Sequence, residues 1–361
     1  MWVKAVFSLF ITIAACSHKE AEDTKPIPIS SASSLHEEKA ELSLNSVEMH
    51  SMKKFAVFYG DPLYFSLPPS VPCYTDKEIC ISSQLSTFSF VVVGAGLEEE
   101  KHHSHLFTKR MIQAPSKTKY YGYLDLGKTK NFPLSELLLR VEKWKEMGVD
   151  GILIDEAGFE YWDHGGADFR ARLNMVLDRL HNFQLKAIVN AWNPSDVFTK
   201  IPENPVHWNS DDGYLLEGYS FSTEAISFDS YRKKMDACLA AKRKFHINLY
   251  GVITSDRMLS HKLTKEKWKF FAISAHFDQL DGVAWADDSF SSYDSKLTIP
   301  NDDFIEVGLD KSERTTISIK ERKLSRRVYL STSIGNALQT YVAILDYTTR
   351  SVFERALKKF L

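Results

Sequence analysis

The sequence predicts an α/β fold: a (β/α)8 barrel with a small C-terminal α+β appendage. Short apolar segments recur roughly every thirty residues between residues 55 and 290, about the length of one βα unit. Amphipathic helical patterns fill most of the gaps, and this alternation favours a parallel sheet with covered faces. Most predicted strands end on acidic, amide or aromatic residues, as strands of barrel enzymes do. An open doubly wound sheet is the alternative, but no Gly-rich phosphate loop follows the first strand.

The composition is that of an ordinary globular protein. The 361 residues are 44% hydrophobic and 25% charged, and the formal net charge is −2. A charge so close to zero creates no field that would attract a nucleic acid or an anionic membrane surface. We therefore expect no nucleic-acid partner. The length allows one large domain with an extra segment, or two domains.

The N-terminus has the features of an export signal. Lys4 precedes an apolar run over residues 5–15 that is too short to span a bilayer comfortably. The sequence Ile13-Ala14-Ala15-Cys16 resembles a bacterial lipobox. The resemblance implies a signal peptide over residues 1–15, lipidation of Cys16, and attachment to a membrane of the cell envelope through that lipid, the outer membrane in a bacterium that has two. An ordinary signal peptide or a buried helix is the alternative.

Residues 16–54 are predicted to be the lipidated cysteine followed by a flexible tether. Residues 17–54 contain no aromatic residue and are rich in Ser, Glu and Lys. Such a segment cannot bury enough apolar surface to offset the entropy lost on ordering. The barrel is therefore predicted to occupy residues 55–290.

Three further cysteines follow the tether. Cys73 and Cys80 lie in one loop-rich segment, and an exported protein could join them in a disulfide. Cys238 lies on the apolar stripe of a helical pattern, which is typical of a packed core thiol. No CxxC pair or Cys/His ligand spacing is present, so we expect neither a structural metal nor a cofactor.

The fourth predicted strand is the most informative element. The eight strands are predicted at Phe55–Tyr59, Phe88–Val93, Tyr120–Asp125, Gly151–Asp155, Lys186–Trp192, Gly213–Gly218, Phe245–Gly251 and Gly282–Ala286. The fourth has a continuous apolar run, typical of a strand buried on both faces, and ends on Asp155 and Glu156. Burying two carboxylates costs free energy unless they have partners or a function. The alternative is that Asp155 caps the next helix or pairs with a basic residue.

The residues at the predicted strand ends favour a sugar-binding site. Carboxylates can protonate or attack a glycosidic bond, amides bind hydroxyl groups, and aromatic rings stack on sugar faces. We expect Asp155 and Glu217 to be catalytic, with Glu156 as the alternative to Asp155. The substrate-binding candidates are Tyr59, Asp61, Tyr123, Asp125, Asn190, Trp192, Tyr219, Tyr250, Trp285 and Asp287. Tyr161 and Trp162 are further candidate stacking rings.

Histidine patterns do not predict a metal centre. The cluster from Lys101 to His105 follows the second strand and is explained by a solvated loop. His246 is expected inside the seventh strand as a core histidine. No G-x-S-x-G elbow or phosphate loop is present.

The run from Trp144 to Asp155, together with Leu215-Leu216-Glu217-Gly218 and Asn190, resembles the endo-α-1,4-polygalactosaminidase family of barrel glycoside hydrolases. The resemblance covers roughly residues 55–290. It implies Asp155 as nucleophile or anion stabiliser and Glu217 as general acid/base. The chain departs from the family where Glu156-Ala157 replaces an Asn and a second Asp, which leaves the sugar and linkage open. Neighbouring strand residues point to opposite sides, so one of Asp155 and Glu156 faces the cavity, and we favour Asp155.

The leading hypothesis is therefore an exported, lipid-anchored glycoside hydrolase that acts on an α-linked amino-sugar or related polysaccharide. Glu217 has the more apolar neighbours and suits the protonated acid, whereas Asp155 suits the anion. A non-catalytic glycan-binding or cell-wall-binding module, and a surface lipoprotein that uses the barrel as a platform, are the alternatives. Residues 291–361 are predicted to be an appendage with short strands near residues 304, 315 and 327 and a final helix over 352–361.

Overall fold

The computed structural model describes residues 52–67, 73–74, 76–163, 166–217, 228–254, 275 and 278–286, and the strands 316–322, 325–334, 337–346 and 351–358. Only the backbone is described for 228–232, 254 and these last four strands. The predicted signal peptide, Cys16 and most of the tether lie outside the described residues.

Eight parallel strands form a closed barrel, which confirms the predicted fold class. Each strand pairs with the next, and β8 pairs with β1. The strands are β1 Lys53–Phe58, β2 Phe90–Val93, β3 Lys119–Asp125, β4 Gly151–Asp155, β5 Lys186–Asn190, β6 Gly213–Glu217, β7 Asn248–Thr254 and β8 Gly282–Ala286. The helices are α1 Lys77–Leu85, α2 His105–Gln113, α3 Leu134–Met147, α4 Gly166–Asn182, α5 Pro194–Phe198 and α6 Phe228–Phe245.

The core consists of two shells because strand side chains alternate between the two faces of the sheet. The outer shell lies between strands and helices and includes Ile152, Ile154 and Trp144. The inner shell fills the barrel and includes Leu153, Ile188 and Leu215. Strands that are apolar on both faces must be covered on both, which explains the continuous apolar run of β4.

Four rings of the inner shell form what we call the amino-end aromatic layer: Phe55, Phe90, Tyr121 and Tyr250. Phe55 stacks on Phe90 with ring centroids 4.7 Å apart, and the Tyr250 ring meets both edge-on. Glycines at the starts of β4 and β6 make room for the tyrosines. A Cβ atom on Gly151 would lie 2.4 Å from the Tyr121 ring, and one on Gly213 would lie 2.4 Å from the Tyr250 ring. This layer fills the barrel near the amino ends of its strands.

The prediction for the seventh strand was wrong by several residues. Helix α6 continues through Phe245, His246 follows with a left-handed φ of 56°, and β7 begins only at Asn248. His246 is exposed and is therefore not a core histidine. The apolar residues Phe245 and Ile247 lie on either side of a helix end, and periodicity alone does not locate such a boundary.

Beyond the barrel, four antiparallel strands form one sheet: β9 Thr316–Arg322, β10 Ser325–Ile334, β11 Ala337–Asp346 and β12 Ser351–Lys358. The predicted final helix is wrong, because Ser351–Lys358 pairs with β11 along its whole length. Its short apolar pattern suits either structure locally, and strand pairing decides the outcome. The strand predicted near residue 304 lies outside the described residues.

Two further features concern the cysteines and the membrane. Cys73 and Cys80 form a disulfide with Cα atoms 5.7 Å apart, and Cys80 lies in α1 rather than in a loop. Cys238 is a buried free thiol on α6. Within the described part of the chain, no helix is long and apolar enough to cross a bilayer.

Candidate active site

The carboxyl end of the barrel holds four polar residues on neighbouring strands at equivalent positions. Asp125, Asp155, Asn190 and Glu217 are the last residues of β3, β4, β5 and β6. Each follows an inner-shell residue by two positions, namely Tyr123, Leu153, Ile188 and Leu215. Because strand side chains repeat with period two, all four face the barrel interior. The sheet register pairs Asp125 with Asp155 directly.

Asp155 accepts two hydrogen bonds within this site. The Tyr123 hydroxyl donates to Oδ2 at 2.7 Å, and the backbone N–H of Glu156 donates to Oδ1 at 2.8 Å. Burial raises the pKa of Asp155, the two hydrogen bonds lower it, the charge of Glu156 raises it again, and the net shift is upward. Both donors stabilise the ionised carboxylate, so Asp155 is the member of the site suited to carry a negative charge.

Glu217, at the end of β6, is influenced by charges of both signs. Burial and the charge of Asp155 raise its pKa to about 8, and the positive charge of Lys234 opposes that rise. With its pKa raised to about 8, Glu217 holds a proton at neutral pH, and the negative charge of Asp155 is one cause of that rise. Two inward-facing carboxyl groups with different partners can serve as an acid and an anion.

Asp125 and Glu156 form a second pair of carboxyl groups. Burial, followed by the charge of Glu156 and a hydrogen bond with it, raises the pKa of Asp125 to about 7. Glu156 has a left-handed φ of 55°, and its side chain accepts hydrogen bonds from the backbone N–H and the hydroxyl of Thr129. This turn directs Glu156 towards Asp125 and Thr129.

Asn190 is buried, and its amide donates to the carbonyl of Leu215 at 3.2 Å. Its own backbone carbonyl accepts from the N–H of Ala157 at 2.9 Å, which ties the loop after β4 to β5. Asn190 therefore links three consecutive strands at the level of the carboxyl groups.

The predicted aromatic residues divide into three groups. The Tyr59 and Tyr123 rings meet edge-on with centroids 5.0 Å apart, inside the barrel mouth. Trp192 follows β5 and is 48% exposed, so about half of its side chain is accessible to solvent. Trp162 stacks on Phe169 of α4 at 5.2 Å and belongs to the outer shell.

Two predicted substrate-binding residues lie away from this site. Tyr250 belongs to the amino-end aromatic layer, because β7 extends four residues beyond it to Thr254. Trp285 lies between the inner-shell residues Ala284 and Ala286 and packs on the outer shell. The prediction placed Tyr250 at the wrong end of its strand and Trp285 on the wrong face.

Asp61 serves the loops after β1 and β2. Its side chain accepts from the Leu63 N–H at 3.0 Å, from the Ser104 hydroxyl, and lies 2.6 Å from Nε2 of His103. Burial raises the pKa of Asp61, but these hydrogen bonds outweigh it and the net shift is downward. Asp61 thus joins two loops, and the histidine cluster is in part a structural partner of this carboxylate rather than only a solvated loop.

Sequence reasoning missed Thr129 and Lys234, and it named Tyr161 only as a stacking ring. The Tyr161 hydroxyl interacts with Glu217, Asp155 and Glu156, and its pKa is raised to about 12, first by burial. Lys234 lies on α6, the helix that follows β6, and the period-3.6 pattern of that helix was the only available signal. Tyr219 and Asp287 lie outside the described residues. No group of three or more His, Cys, Asp or Glu residues in the described segments is arranged to hold a metal ion.

No protein-family model matches the sequence, and no curated protein sequence matches it. The barrel resembles glycoside hydrolase domains. That of PelA from Pseudomonas aeruginosa is 14% identical, with a TM-score of 0.43, over 68% of this chain and 98% of that chain. Ega3 from Aspergillus fumigatus, in complex with galactosamine, is 11% identical, with a TM-score of 0.41, over 69% and 97%.

Barrels with other chemistry resemble the chain equally well. Oxaloacetate acetylhydrolase is 12% identical, with a TM-score of 0.41, over 65% of this chain and 76% of that chain. These likenesses do not distinguish one activity from another, so the functional proposal depends on the carboxyl groups themselves.

Proposed function

We propose that this protein is a glycoside hydrolase that cleaves an α-linked amino-sugar or related polysaccharide with Asp155 and Glu217. One observation carries the proposal. Two inward-facing carboxyl groups, on β4 and β6, act on each other electrostatically and have different partners: Asp155 accepts two hydrogen bonds, whereas burial and the charge of Asp155 raise the pKa of Glu217 to about 8. Glycosidic bond hydrolysis requires one protonated and one ionised carboxyl group.

The proposed reaction assigns one role to each carboxyl group. Glu217 donates its proton to the glycosidic oxygen as the bond from that oxygen to the anomeric carbon breaks. Asp155 meets the positive charge that develops on the sugar, either as nucleophile or as electrostatic partner. A water molecule supplies the hydroxyl group of the new reducing end, and its proton returns to a carboxylate of the site.

The substrate class is inferred from the sequence resemblance around residues 144–155, Asn190 and Glu217. Export and attachment to the cell envelope through Cys16 are proposed from the N-terminal sequence alone. Such a location would place the barrel next to surface polysaccharides. Tyr123, Tyr59 and Trp192 are proposed to contact the sugar rings.

The test is the release of new reducing ends from α-1,4-linked galactosamine polymers, with and without N-acetyl groups, over a range of pH. Asp155→Asn and Glu217→Gln should each abolish the release without loss of the folded state. Asp178→Asn, on the exposed face of α4, is a matched control that should retain activity. Binding of the polymers without new reducing ends would instead support a non-catalytic glycan-binding module, and neither binding nor cleavage would contradict both functions.

A further inference from the structure

Lys234 is a cationic side chain beside the acidic site that the proposed reaction does not use. It lies in the first half of α6, between exposed Lys233 and the buried thiol of Cys238 one turn later. Its Nζ atom lies over the indole ring of Trp192, 5.3 Å from the ring centroid, within the range of a cation–π contact. Its ammonium group also attracts the carboxyl group of Glu217.

The position of Lys234 follows from the fold. In a barrel, the helix after each strand returns along the outside of the sheet, so the first turns of α6 lie near the carboxyl end of β6, where Glu217 is. Trp192 follows β5, the neighbouring strand. Lys234 therefore contacts Trp192, a proposed sugar-stacking ring, and its charge acts on Glu217, the proposed proton donor on the adjacent strand.

We propose that Lys234 is a positioning residue of this site: its ammonium group orients the Trp192 ring and, by its charge, keeps Glu217 able to release its proton. The catalytic consequence rests on the proposed function, whereas the charge coupling does not. A buried glutamic acid with only negative neighbours would hold its proton too firmly to transfer it, and general acids work best when their pKa lies near the working pH.

The charged groups around Lys234 and Glu217 define the direction in which the pKa of Glu217 should shift when Lys234 is replaced. Glu217 interacts with Asp155 on β4, Tyr161 in the loop after β4, Tyr214 on β6 and Lys234 on α6. Among the described residues that affect the pKa of Glu217, Lys234 is the cation, so its removal leaves described neighbours that disfavour ionisation of the carboxyl group. Burial lowers the pKa of Lys234 itself, and Glu217 and Cys238 oppose that shift.

The decisive experiment is an NMR titration of the full chain labelled with ¹³C in glutamate carboxyl groups, with the Glu217 signal assigned from its absence in Glu217→Gln. Lys234→Met should raise the titration midpoint of Glu217 by about 1 pH unit or more, since an opposite charge nearby typically shifts a pKa by 1–3 units. Lys234→Arg should restore the midpoint. Lys233→Met removes an equal charge from the exposed neighbour and should leave it unchanged.

An unchanged midpoint in a folded Lys234→Met variant would overturn the inference, and Lys234→Gln provides the same test if the methionine variant does not fold. In an active enzyme, Lys234→Met should move the alkaline limb of the kcat/KM profile to higher pH by as much as it shifts the Glu217 midpoint. KM should rise because Trp192 loses its orienting contact. A shifted midpoint in a protein that cleaves no glycan would contradict the proposed function while leaving the charge coupling intact.

Discussion

The hydroxyl group of Tyr123 on β3 donates a 2.7 Å hydrogen bond to Oδ2 of Asp155 on β4. The two strands are neighbours, and their register places Tyr123 beside Leu153, one inward-facing position before Asp155. The tyrosine therefore reaches across the barrel mouth to the carboxylate on the next strand. This contact makes Asp155 easier to ionise and fixes the orientation of its carboxyl group.

Tyr123→Phe should lower kcat by about 10- to 100-fold, since a hydrogen bond to a charged group contributes about 1.5–3 kcal/mol. Loss of the donor raises the pKa of Asp155, so the acidic limb of the pH–rate profile should move to higher pH. The ring and its edge-on contact with Tyr59 are retained, so KM should change little. Steady-state kinetics from pH 4 to pH 9 provide the measurement, and an acidic limb that does not move would count against the role of Asp155 as the ionised group.

Glu156→Gln distinguishes the alternative catalytic residue from the favoured one. The Glu156 side chain is engaged by Thr129 and Asp125, so we expect its neutral variant to lose less than about 10-fold in kcat, whereas loss of a true nucleophile costs about 10⁴-fold or more. The pKa of Asp125 should fall below about 7, because its negative neighbour is gone. If Glu156→Gln were as inactive as Asp155→Asn, the catalytic role would pass to Glu156 or be shared.

The raised pKa of Glu217 makes stability depend on pH in a defined direction. The folded protein holds this proton up to about pH 8, whereas the unfolded chain releases it near the ordinary glutamate pKa of 4.5. The stabilisation of the folded state by the protonated Glu217 carboxyl group is fully present below pH 4.5 and is lost as pH rises towards 8. Glu217→Gln removes this dependence, so the variant should gain a few kcal/mol over wild type between pH 5 and pH 8.5, at about 1.4 kcal/mol per pKa unit.

Urea unfolding of wild type and Glu217→Gln at both pH values measures that difference. Glu136→Gln on α3, a carboxylate with an exposed fraction of 32% in contact with Arg140, is a suitable comparison and should not gain stability at alkaline pH. If the difference in free energy of unfolding between wild type and Glu217→Gln were the same at both pH values, the raised pKa of Glu217 would be contradicted.

Gly213→Ala tests the close packing of the amino-end aromatic layer. The added Cβ atom would lie 2.4 Å from the Tyr250 ring, which is buried among Phe55 and Phe90 and has no space to move. Overpacking of this kind costs about 1–3 kcal/mol, so the thermal midpoint should fall by several degrees. Gly213→Ala combined with Tyr250→Leu should recover part of the loss, and an unchanged midpoint in the single variant would show that the ring relaxes freely.

The sequence predicted the barrel well because buried parallel strands have a strong local signature. Both bounds of β4 and β8 were predicted correctly, since glycine and a polar residue enclose an apolar run in each. The position of the boundary between α6 and β7 was predicted wrongly, because apolar residues continue across the end of the helix. The prediction for β12 was wrong for a different reason. Pairing with β11 holds residues 351–358 in the sheet, and the local apolar pattern of those residues does not show that pairing.

For the site, period-two alternation places Asp155 and Glu217 on the inner face, where the structure has them. The same alternation places Trp285, between the inner-shell residues Ala284 and Ala286, on the outer face, although both bounds of β8 were predicted correctly. Lys234 could not be found in this way, because a lysine on a helix resembles any solvated surface residue. Its contact with Trp192 exists only once α6 is packed near the residues that follow β5.

The amino-end aromatic layer limits the directions from which a ligand can reach the site. Four rings packed across the amino end of the barrel fill its interior there, so we expect a ligand to approach Asp155 and Glu217 from the carboxyl end. Under the proposed function, a polymer would therefore bind across the carboxyl end of the barrel, and the cleaved fragment would leave from that same end. We expect fragments that dissociate slowly to compete with fresh polymer for the site.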